Sequence, residues 1–536
     1  IVKVRTTEEQ RAKIEKERQE KLKAYKIAIQ KIREKRKENA FDKEMLDLTG
    51  NCLSANPDIL TLWNIRRETL LVLSKSDMGD EEMSKLYDAE LKLTEYCLKQ
   101  NHKSYGAWYQ REWVLLTRPD PDWKKELELC HKYLKIDERN FHTWDYRRFV
   151  VAHCKAPLQE EFDFSTEKIH DNFSNYSAWH YRSKMLVELY PDLEGGRPIK
   201  DIYHKHELKM VQSAAFTDPD DTSAWFYLRW LLGAVKINIH PVVLCVTPTK
   251  TSLAWSKYVS KDFILRTTKI IFDEEIIDGD WISCTNKEYD DLWIFSHQYK
   301  ITDGMKIKVL LEYEDDQRDK QIIACREYKP FIYVGKSEIS FQNKYSEPVL
   351  EELKEQLESC RQLLQLEPDN KWTVLTTTII LYCIDAKLYH KEVLDNLHTL
   401  KTIDKMRAGY YDDLISKWCL EEQLLIDYCS SSLQFTITCD EKIATLYYLH
   451  YYSHCEEVDL SNQKLTSRML PVLIKLQHCK KLSLKNNCLT TLKGFPALEL
   501  DELNIQGNNI NQNINNNSVH RFFDLHFYTC FSLIIP

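Results

Sequence analysis

Glycine is scarce in this chain, which has only 12 glycines among its 536 residues. Proteins contain about 7% glycine on average, and glycine destabilises helices, so a chain this poor in it is predicted to be rich in helix. The sequence also lacks a glycine-rich loop of the kind that cradles phosphates. Because 536 residues exceed one compact core, we expect three or four domains.

Disulfide, export and nucleic-acid signals are missing as well. None of the 16 cysteines stands in a Cys-x-x-Cys pair, which favours reduced, buried thiols and a cytoplasmic location. No signal peptide or membrane span is visible, although a chain starting at Ile1 is expected to lack its natural N-terminus. A net charge of −8 without a basic bias argues against nucleic acid as the main partner.

One internal repeat organises the first half of the chain. In five copies an Asn or Asp stands seven residues before a Trp, and an Arg follows the Trp. The Trp-to-Trp spacings are 45, 36, 35 and 46 residues. The pairs are Trp63 with Arg66, Trp108 with Arg111, Trp144 with Arg147, Trp179 with Arg182, and Trp225 with Arg229, where the Arg comes one place late.

Each copy has the pattern of a helical hairpin. An amphipathic segment comes first, the Asn or Asp turns the chain, and the Trp lies near the start of a second helix. The Arg lies on the same helical face as the Trp. Such hairpins bury their apolar faces only against one another, so we predict a solenoid in which Trp and Arg are packing residues. Trp108, Trp113 and Leu116 are expected to fill the gaps between hairpins.

The repeat closely resembles that of protein prenyltransferase α subunits. Tetratricopeptide arrays have a similar period, but their W-x-x-L-G-x-x-Y pattern is absent here, and Trp-x-x-Arg belongs to the second helix. The resemblance implies a mainly α-helical scaffold that works together with a β subunit.

The residue pattern after the repeats predicts several different kinds of structure in succession. Short β-rich runs from His240 to Lys336 predict an inserted, immunoglobulin-like β-sandwich. Helices return after it as degenerate repeats, and a leucine-rich pattern follows, with Gln463, Asn487 and Asn508 at its asparagine position. The predicted division is a charged N-terminal helix (1–40), repeats one to five (41–238), the β-sandwich (239–345), returning helices (346–435), leucine-rich repeats (436–515) and an atypical tail (516–536).

This domain order resembles that of the α subunits of animal Rab geranylgeranyltransferases. The resemblance implies transfer of geranylgeranyl groups from geranylgeranyl diphosphate to C-terminal cysteines of Rab GTPases, which a Rab escort protein presents. It also implies that zinc and most of the lipid pocket belong to the β subunit, so that this chain binds no cofactor or metal of its own. The best cluster of metal-ligand residue types, His450, His454 and Cys455, lacks matching ligands and is interpreted as a surface or domain-junction cluster.

Three residues match family positions that approach the diphosphate. The Lys-x-Tyr element of the second repeat gives Lys103 and Tyr105, and the third repeat gives His142. All three are predicted to lie in turns between paired helices, at one edge of the solenoid. Without the resemblance, Lys103 would be interpreted as a solvated turn lysine. Phe141 and Tyr176 occupy the slot of Tyr105 in other copies, which equally suggests a packing role.

Two alternatives stay open at this point. Helical hairpins and leucine-rich repeats are both binding architectures, and the chain holds no complete catalytic constellation, so one alternative is a non-enzymatic interaction scaffold. The other is the α subunit shared by farnesyltransferase and type I geranylgeranyltransferase. The β-rich and leucine-rich segments count against the second alternative.

Overall fold

Paired helices build the first part of the chain. The computed structural model describes residues 8–192, 198–233, 239–312, 321–341, 345–428, 431–510 and 532–534. Two units divide the chain, Ile1–Tyr190 and Pro191–Pro536. The described helices of the first unit are α1 (Glu8–Lys37), α2 (Lys43–Ala55), α3 (Leu60–Leu73), α4 (Asp80–Gln100), α5 (Tyr105–Thr117), α6 (Trp123–Ile136), α7 (Phe141–Cys154), α8 (Leu158–Asp171) and α9 (Tyr176–Leu189).

The repeat motif marks the turn of each helical hairpin. Its Asn or Asp ends the first helix and closes a short turn, because its Oδ1 atom accepts the backbone N–H two residues further on. The distances are 3.0 Å for Asn101 and 3.2 Å for Asp137. A second polar residue then caps the following helix, and in the third copy Asn140 accepts the N–H of His142. The sequence predicted the turn residue but not this second cap.

Buried Trp and Arg side chains hold neighbouring hairpins together. Every repeat Trp is at most 4% exposed and donates its indole N–H to the backbone carbonyl six residues earlier. The expectation for Leu116 is wrong, since this side chain is 60% exposed. It lies in the last turn of α5, where it faces solvent instead of the neighbouring hairpin.

The second unit starts with another helical pair, α10 (Asp201–Thr217) and α11 (Thr222–Gly233). In this fifth copy Arg229 comes one place late, which turns its side chain by about 100° around the helix axis. Leu228 occupies the expected position and is buried, whereas Arg229 stacks over the rings of Phe226 and Trp372. The Arg229 Nη2 atom has no hydrogen-bond partner among the described residues.

Antiparallel strands follow in two sheets, with orders β5-β6-β2-β1-β10-β9 and β4-β3-β7-β8. Trp255, Trp293 and Phe272 lie in the core that the two sheets share. The elements are β1 (Pro241–Val246), β2 (Thr251–Ser260), α12 (Lys261–Thr267), β3 (Thr268–Phe272), β4 (Glu275–Ile276), β5 (Asp280–Ser283), β6 (Tyr289–Ser296), β7 (Ile307–Leu311), β8 (Gln321–Ala324), β9 (Arg326–Lys329) and β10 (Ile332–Lys336).

Helices then return as α13 (Glu347–Leu366), α14 (Lys371–Asp385), α15 (His390–Ile403) and α16 (Ala408–Asp427). Asn370 caps α14, and its Nδ2 atom lies 3.4 Å from the Pro219 carbonyl oxygen, which also accepts the indole N–H of Trp225. The α13–α14 hairpin therefore continues the hydrogen-bond pattern of the fifth copy. No described helix has both the length and the hydropathy that a membrane span requires.

Parallel strands end the described chain: β11 (Gln434–Thr436), β12 (Glu457–Asp459), β13 (Lys481–Ser483), β14 (Glu502–Asn504) and β15 (Ser532–Ile534). Side-chain amides connect successive turns, since Asn487 Nδ2 donates to the Leu460 carbonyl at 2.8 Å and Asn508 Nδ2 donates to the Leu484 carbonyl at 2.8 Å. The predicted tail, 516–536, lies outside the described residues apart from β15.

Buried polar contacts join this C-terminal region to the antiparallel sheets. The Lys475 ammonium binds both Asp290 and Asp291, and the Ser252 hydroxyl lies 2.9 Å from His478 Nε2. The prediction of a mainly helical repeat fold with sheets in the insertion is confirmed. The exact domain boundaries stay predictions, and the division at Tyr190 falls inside the predicted repeat segment.

Candidate functional site

A row of shared carbonyl groups sets the spacing of the repeat turns in the first unit. The His102 carbonyl accepts the indole N–H of Trp108 at 3.0 Å and the Nδ2 group of Asn140, from the next copy, at 2.9 Å. The Glu138 carbonyl is shared in the same way by Trp144 and Asn175. Because each turn is bonded to the next one, side chains of successive turns meet at one edge.

Lys103 stands on this edge, in the turn between α4 and α5. Its ammonium nitrogen lies 3.4 Å from Asp137 Oδ2, an atom of the next turn, and the side chain is 61% exposed. The same Asp137 oxygen lies 3.3 Å from Nε2 of His102. Two basic side chains thus flank a single carboxylate while remaining open to solvent.

The two predicted ring residues pack against each other at the same edge. The ring centroids of Tyr105 and His142 are 4.2 Å apart in an edge-on arrangement, and Phe141 covers His142 at 4.0 Å. Burial lowers the pKa of His142, which is only 7% exposed; the Asp145 carboxylate opposes this shift, and the nearby charge of Lys103 adds to it. His142 is therefore neutral at pH 7 and acts as a hydrogen-bonding or packing group.

Tyr105 belongs to an exposed aromatic row. It is 67% exposed, and the residues that begin the next two second helices, Phe141 and Tyr176, are 51% and 54% exposed. All three stand three places before the repeat Trp, so they line up along the edge. Tyr105 meets the His142 ring in an edge-on arrangement and lies 6.3 Å from the Phe141 ring, and its exposed area remains available for contact with a partner.

The repeat Arg residues face the opposite way, into the interior. Arg111 binds the Glu126 carboxylate through two hydrogen bonds of 2.6 and 2.7 Å, and Arg147 binds Glu161 at 2.8 and 2.6 Å. In the first copy Arg66 holds Glu90 in the same two-pronged way. These arginines are enclosed by protein, so they serve packing and internal ion pairing.

Sequence reasoning missed the acidic partners of these arginines, although a signal was present. Glu90, Glu126 and Glu161 each stand 18 residues before the Trp of their copy. A second polar group from the following helix also binds each of these carboxylates, as in the hydrogen bond from the Tyr146 hydroxyl to Glu126 at 2.6 Å. The acids thus connect three consecutive helices, a role that a search for catalytic motifs does not reveal.

The site contains cations and hydrogen-bond donors but no nucleophile with an adjacent base. Burial raises the pKa of Cys97 and Cys130 to about 12, so both thiols stay protonated. Within the described ranges, no group of three His, Cys, Asp or Glu side chains is arranged to hold a metal ion. His450 instead faces Asp291 at 3.4 Å. What the edge can do is bind and orient an anionic group.

The sequence of this chain matches a protein-family model and several known proteins. The model of the protein prenyltransferase alpha subunit repeat matches residues 87–118, 123–154, 158–189 and 204–235, the second to fifth copies. The geranylgeranyl transferase type-2 subunit alpha of Rattus norvegicus is 36% identical to this chain, covering 95% of it and 91% of the relative. The Homo sapiens protein of that name gives the same three values. The chain belongs to the geranylgeranyl transferase type-2 α-subunit family.

As a member of this family, the chain is a prenyltransferase subunit, which removes the alternative of a non-enzymatic scaffold. A match over 95% of the chain leaves too few residues unmatched to omit the β-rich insertion. This extent counts against the α subunit shared by farnesyltransferase and type I geranylgeranyltransferase. A solved structure, Candida albicans protein geranylgeranyltransferase-I complexed with GGPP, is similar with a TM-score of 0.42 and 16% identity, covering 74% of this chain and 90% of that one.

Proposed function

We propose that this chain is the α subunit of the heterodimer that transfers geranylgeranyl groups from geranylgeranyl diphosphate to the C-terminal cysteines of Rab GTPases. The main support for this proposal is the 36% sequence identity to a type-2 α subunit over 95% of the chain. In this proposal the chain scaffolds a β subunit and contributes residues to the diphosphate side of the shared site. A Rab escort protein presents the substrate, and the heterodimer works in the cytoplasm.

The chemistry assigns different tasks to the two subunits. Cysteine attacks as a thiolate, which zinc on the β subunit would stabilise, and diphosphate leaves as a multiply charged anion. Donors fixed where negative charge develops lower the barrier to its departure. Lys103 supplies a mobile ammonium group from the exposed edge. The Tyr105 hydroxyl can donate a hydrogen bond to the diphosphate, and the neutral His142 ring packs edge-on against the Tyr105 ring.

The exposed row of Tyr105, Phe141 and Tyr176 supports docking of the β subunit along this edge. Aromatic side chains that are more than half exposed leave apolar area in water, and a partner would cover that area favourably. Docking at the row would also bring the neighbouring Lys103 to the rim of the partner's lipid pocket. The lysine would then lose water and bind the diphosphate more strongly than on an open surface.

We further assign the two β-rich regions to known architectures. The paired antiparallel sheets of 239–341 support an immunoglobulin-like sandwich, since inward strand residues such as Leu253, Trp255 and Phe295 fill one core. The parallel strands with bridging Asn487 and Asn508 support leucine-rich repeats, in which side-chain amides satisfy the turn backbone.

Affinity purification of the tagged full chain, followed by mass spectrometry of bound proteins, tests the proposed assembly. We expect a type-2 β subunit in stoichiometric amount, together with a Rab escort protein. A chain that is monodisperse by itself and recruits neither protein would contradict the proposal. Recovery of a farnesyltransferase β subunit instead would favour the other prenyltransferase assignment.

A further inference from the structure

We propose that Asp137 is a positioning residue for Lys103, an inference that rests on the proposed role of Lys103 at the diphosphate. The two carboxylate oxygens of Asp137 have separate partners. Oδ1 accepts the backbone N–H of Arg139 at 3.2 Å, whereas Oδ2 lies 3.4 Å from the Lys103 ammonium and 3.3 Å from His102 Nε2. One oxygen therefore closes the turn, and the other faces the Lys103 ammonium and the His102 ring.

The negative charge of Asp137 is not needed for the turn itself. The equivalent positions Asn56, Asn101 and Asn172 close the same turn with a neutral amide, at 3.1, 3.0 and 2.9 Å. An amide group would preserve the Oδ1 contact and leave a neutral group where the charged oxygen stands. The third copy thus carries a charge that the local fold does not require, at the one turn that faces Lys103.

Asp137 is anchored by its backbone, whereas the Lys103 side chain is long and mostly exposed. The Asp137 backbone N–H ends α6 by donating to the Tyr133 carbonyl at 3.0 Å, and its own carbonyl accepts the N–H of Asn140 at 3.1 Å. The side chain of Lys103 is 61% exposed and has several rotatable bonds. A fixed carboxylate 3.4 Å away attracts the ammonium group to one side of the turn, which restricts its positions while leaving its N–H donors available to the diphosphate.

This arrangement predicts different effects on rate and on binding. In Asp137→Asn the turn remains, but Lys103 loses its fixed partner and samples orientations that do not meet the leaving group. We expect the single-turnover rate at saturating geranylgeranyl diphosphate to fall about tenfold, less than the hundredfold that a 1 Å misplacement can cost. Affinity for geranylgeranyl diphosphate should not fall, because the removed charge is negative and repels the ligand.

A double-mutant cycle in the purified heterodimer tests the inference. Wild type, Asp137→Asn, Lys103→Ala and the double variant are compared by single-turnover transfer and by binding of geranylgeranyl diphosphate. Asp218→Asn is the matched control, since Asp218 makes the same turn contact at 3.2 Å in the fifth copy. We expect the double variant to react as slowly as Lys103→Ala and no slower, and the control to react like wild type.

Three results would separate the possible failures. If Lys103→Ala reacts at the wild-type rate, the proposed role of Lys103 itself is wrong. If Lys103→Ala is slow but Asp137→Asn reacts like wild type, the positioning role is overturned. If Asp137→Asn slows the reaction by the same factor in the presence and absence of Lys103, Asp137 acts on the fold and the inference also fails.

Discussion

Removal of Arg111 should destabilise the solenoid strongly, because its partner Glu126 is then left charged inside the protein. Arg111 and Glu126 have side chains only 3% and 2% exposed. The guanidinium donates to both carboxylate oxygens, to the Leu91 carbonyl at 2.8 Å and to the Thr94 hydroxyl at 3.0 Å. Burial opposes the charge of Arg111, but the hydrogen bonds of Glu126 outweigh burial and raise the pKa of Arg111.

The expected magnitude follows from the fate of Glu126. Removing one member of a buried ion pair costs about 3–5 kcal/mol, most of it the penalty for the uncompensated charge. Arg111→Met keeps the length of the apolar stem, so lost packing contributes little. In Arg111→Met/Glu126→Gln the buried charge is gone, and the amide oxygen can still accept the Tyr146 hydroxyl. We expect this double variant to recover at least half of the lost stability.

Denaturant unfolding of the purified heterodimer, followed by far-ultraviolet circular dichroism, measures these differences. Arg36→Met is the matched control, since Arg36 pairs with Glu68 on the surface, where both side chains are more than 40% exposed. A surface pair contributes at most about 1 kcal/mol. The reasoning is refuted if Arg111→Met costs no more than this control, or if the double variant is less stable than Arg111→Met.

Three further outcomes are expected. Lys103→Ala should slow single-turnover transfer by raising its activation free energy by about 2.7–4 kcal/mol. The heterodimer should stay intact by gel filtration, and an unchanged rate would contradict the proposed site. Burial lowers the pKa of His478 from 6.5 to about 3. Between these two pH values the unfolded chain binds a proton on His478 and the folded chain does not, so the free energy of unfolding decreases as the pH falls from about 6.5 towards 3. Melting curves should show a loss of about 2–3 kcal/mol near pH 4.5 that His478→Asn reduces, and an identical pH dependence in this variant would refute the assignment. Asn487→Ala removes the four hydrogen bonds that this side-chain amide makes in the C-terminal turns and should cost about 1–3 kcal/mol in thermal unfolding, whereas an unshifted transition would contradict the bridging role.

The repeat period predicted the helical architecture because it reports a contact that recurs in every copy. A Trp at a fixed distance from the turn can always reach the carbonyl six residues earlier, so the same local geometry follows from the same local sequence. The sequence also predicted that Lys103, Tyr105 and His142 would lie in turns, which is right for Lys103 only. Tyr105 begins α5 and His142 is the second residue of α7, because the polar residue before each helix caps it earlier than the motif suggested. The structure brings the rings of Tyr105 and His142 together, and it places Lys103 close enough to influence the pKa of His142.

Partners across copies were not predicted from the sequence. The pairing of Lys103 with Asp137 depends on how one hairpin stacks on the next, and 33 residues of chain separate the two side chains. Arg229 shows the same limit, since a shift by one position turned a predicted repeat arginine away from its usual place. Both cases need the relative rotation of neighbouring helices, which the hydrophobic period does not specify.

Geranylgeranyl transfer by the reconstituted heterodimer tests the central assignment most directly. The full chain is purified with a type-2 β subunit and given geranylgeranyl diphosphate, with either a Rab GTPase bound to its escort protein or a short CaaX peptide as acceptor. We predict transfer to the Rab C-terminal cysteines and none to the peptide. Transfer to the peptide, or no transfer to Rab by an intact heterodimer, would contradict the assignment.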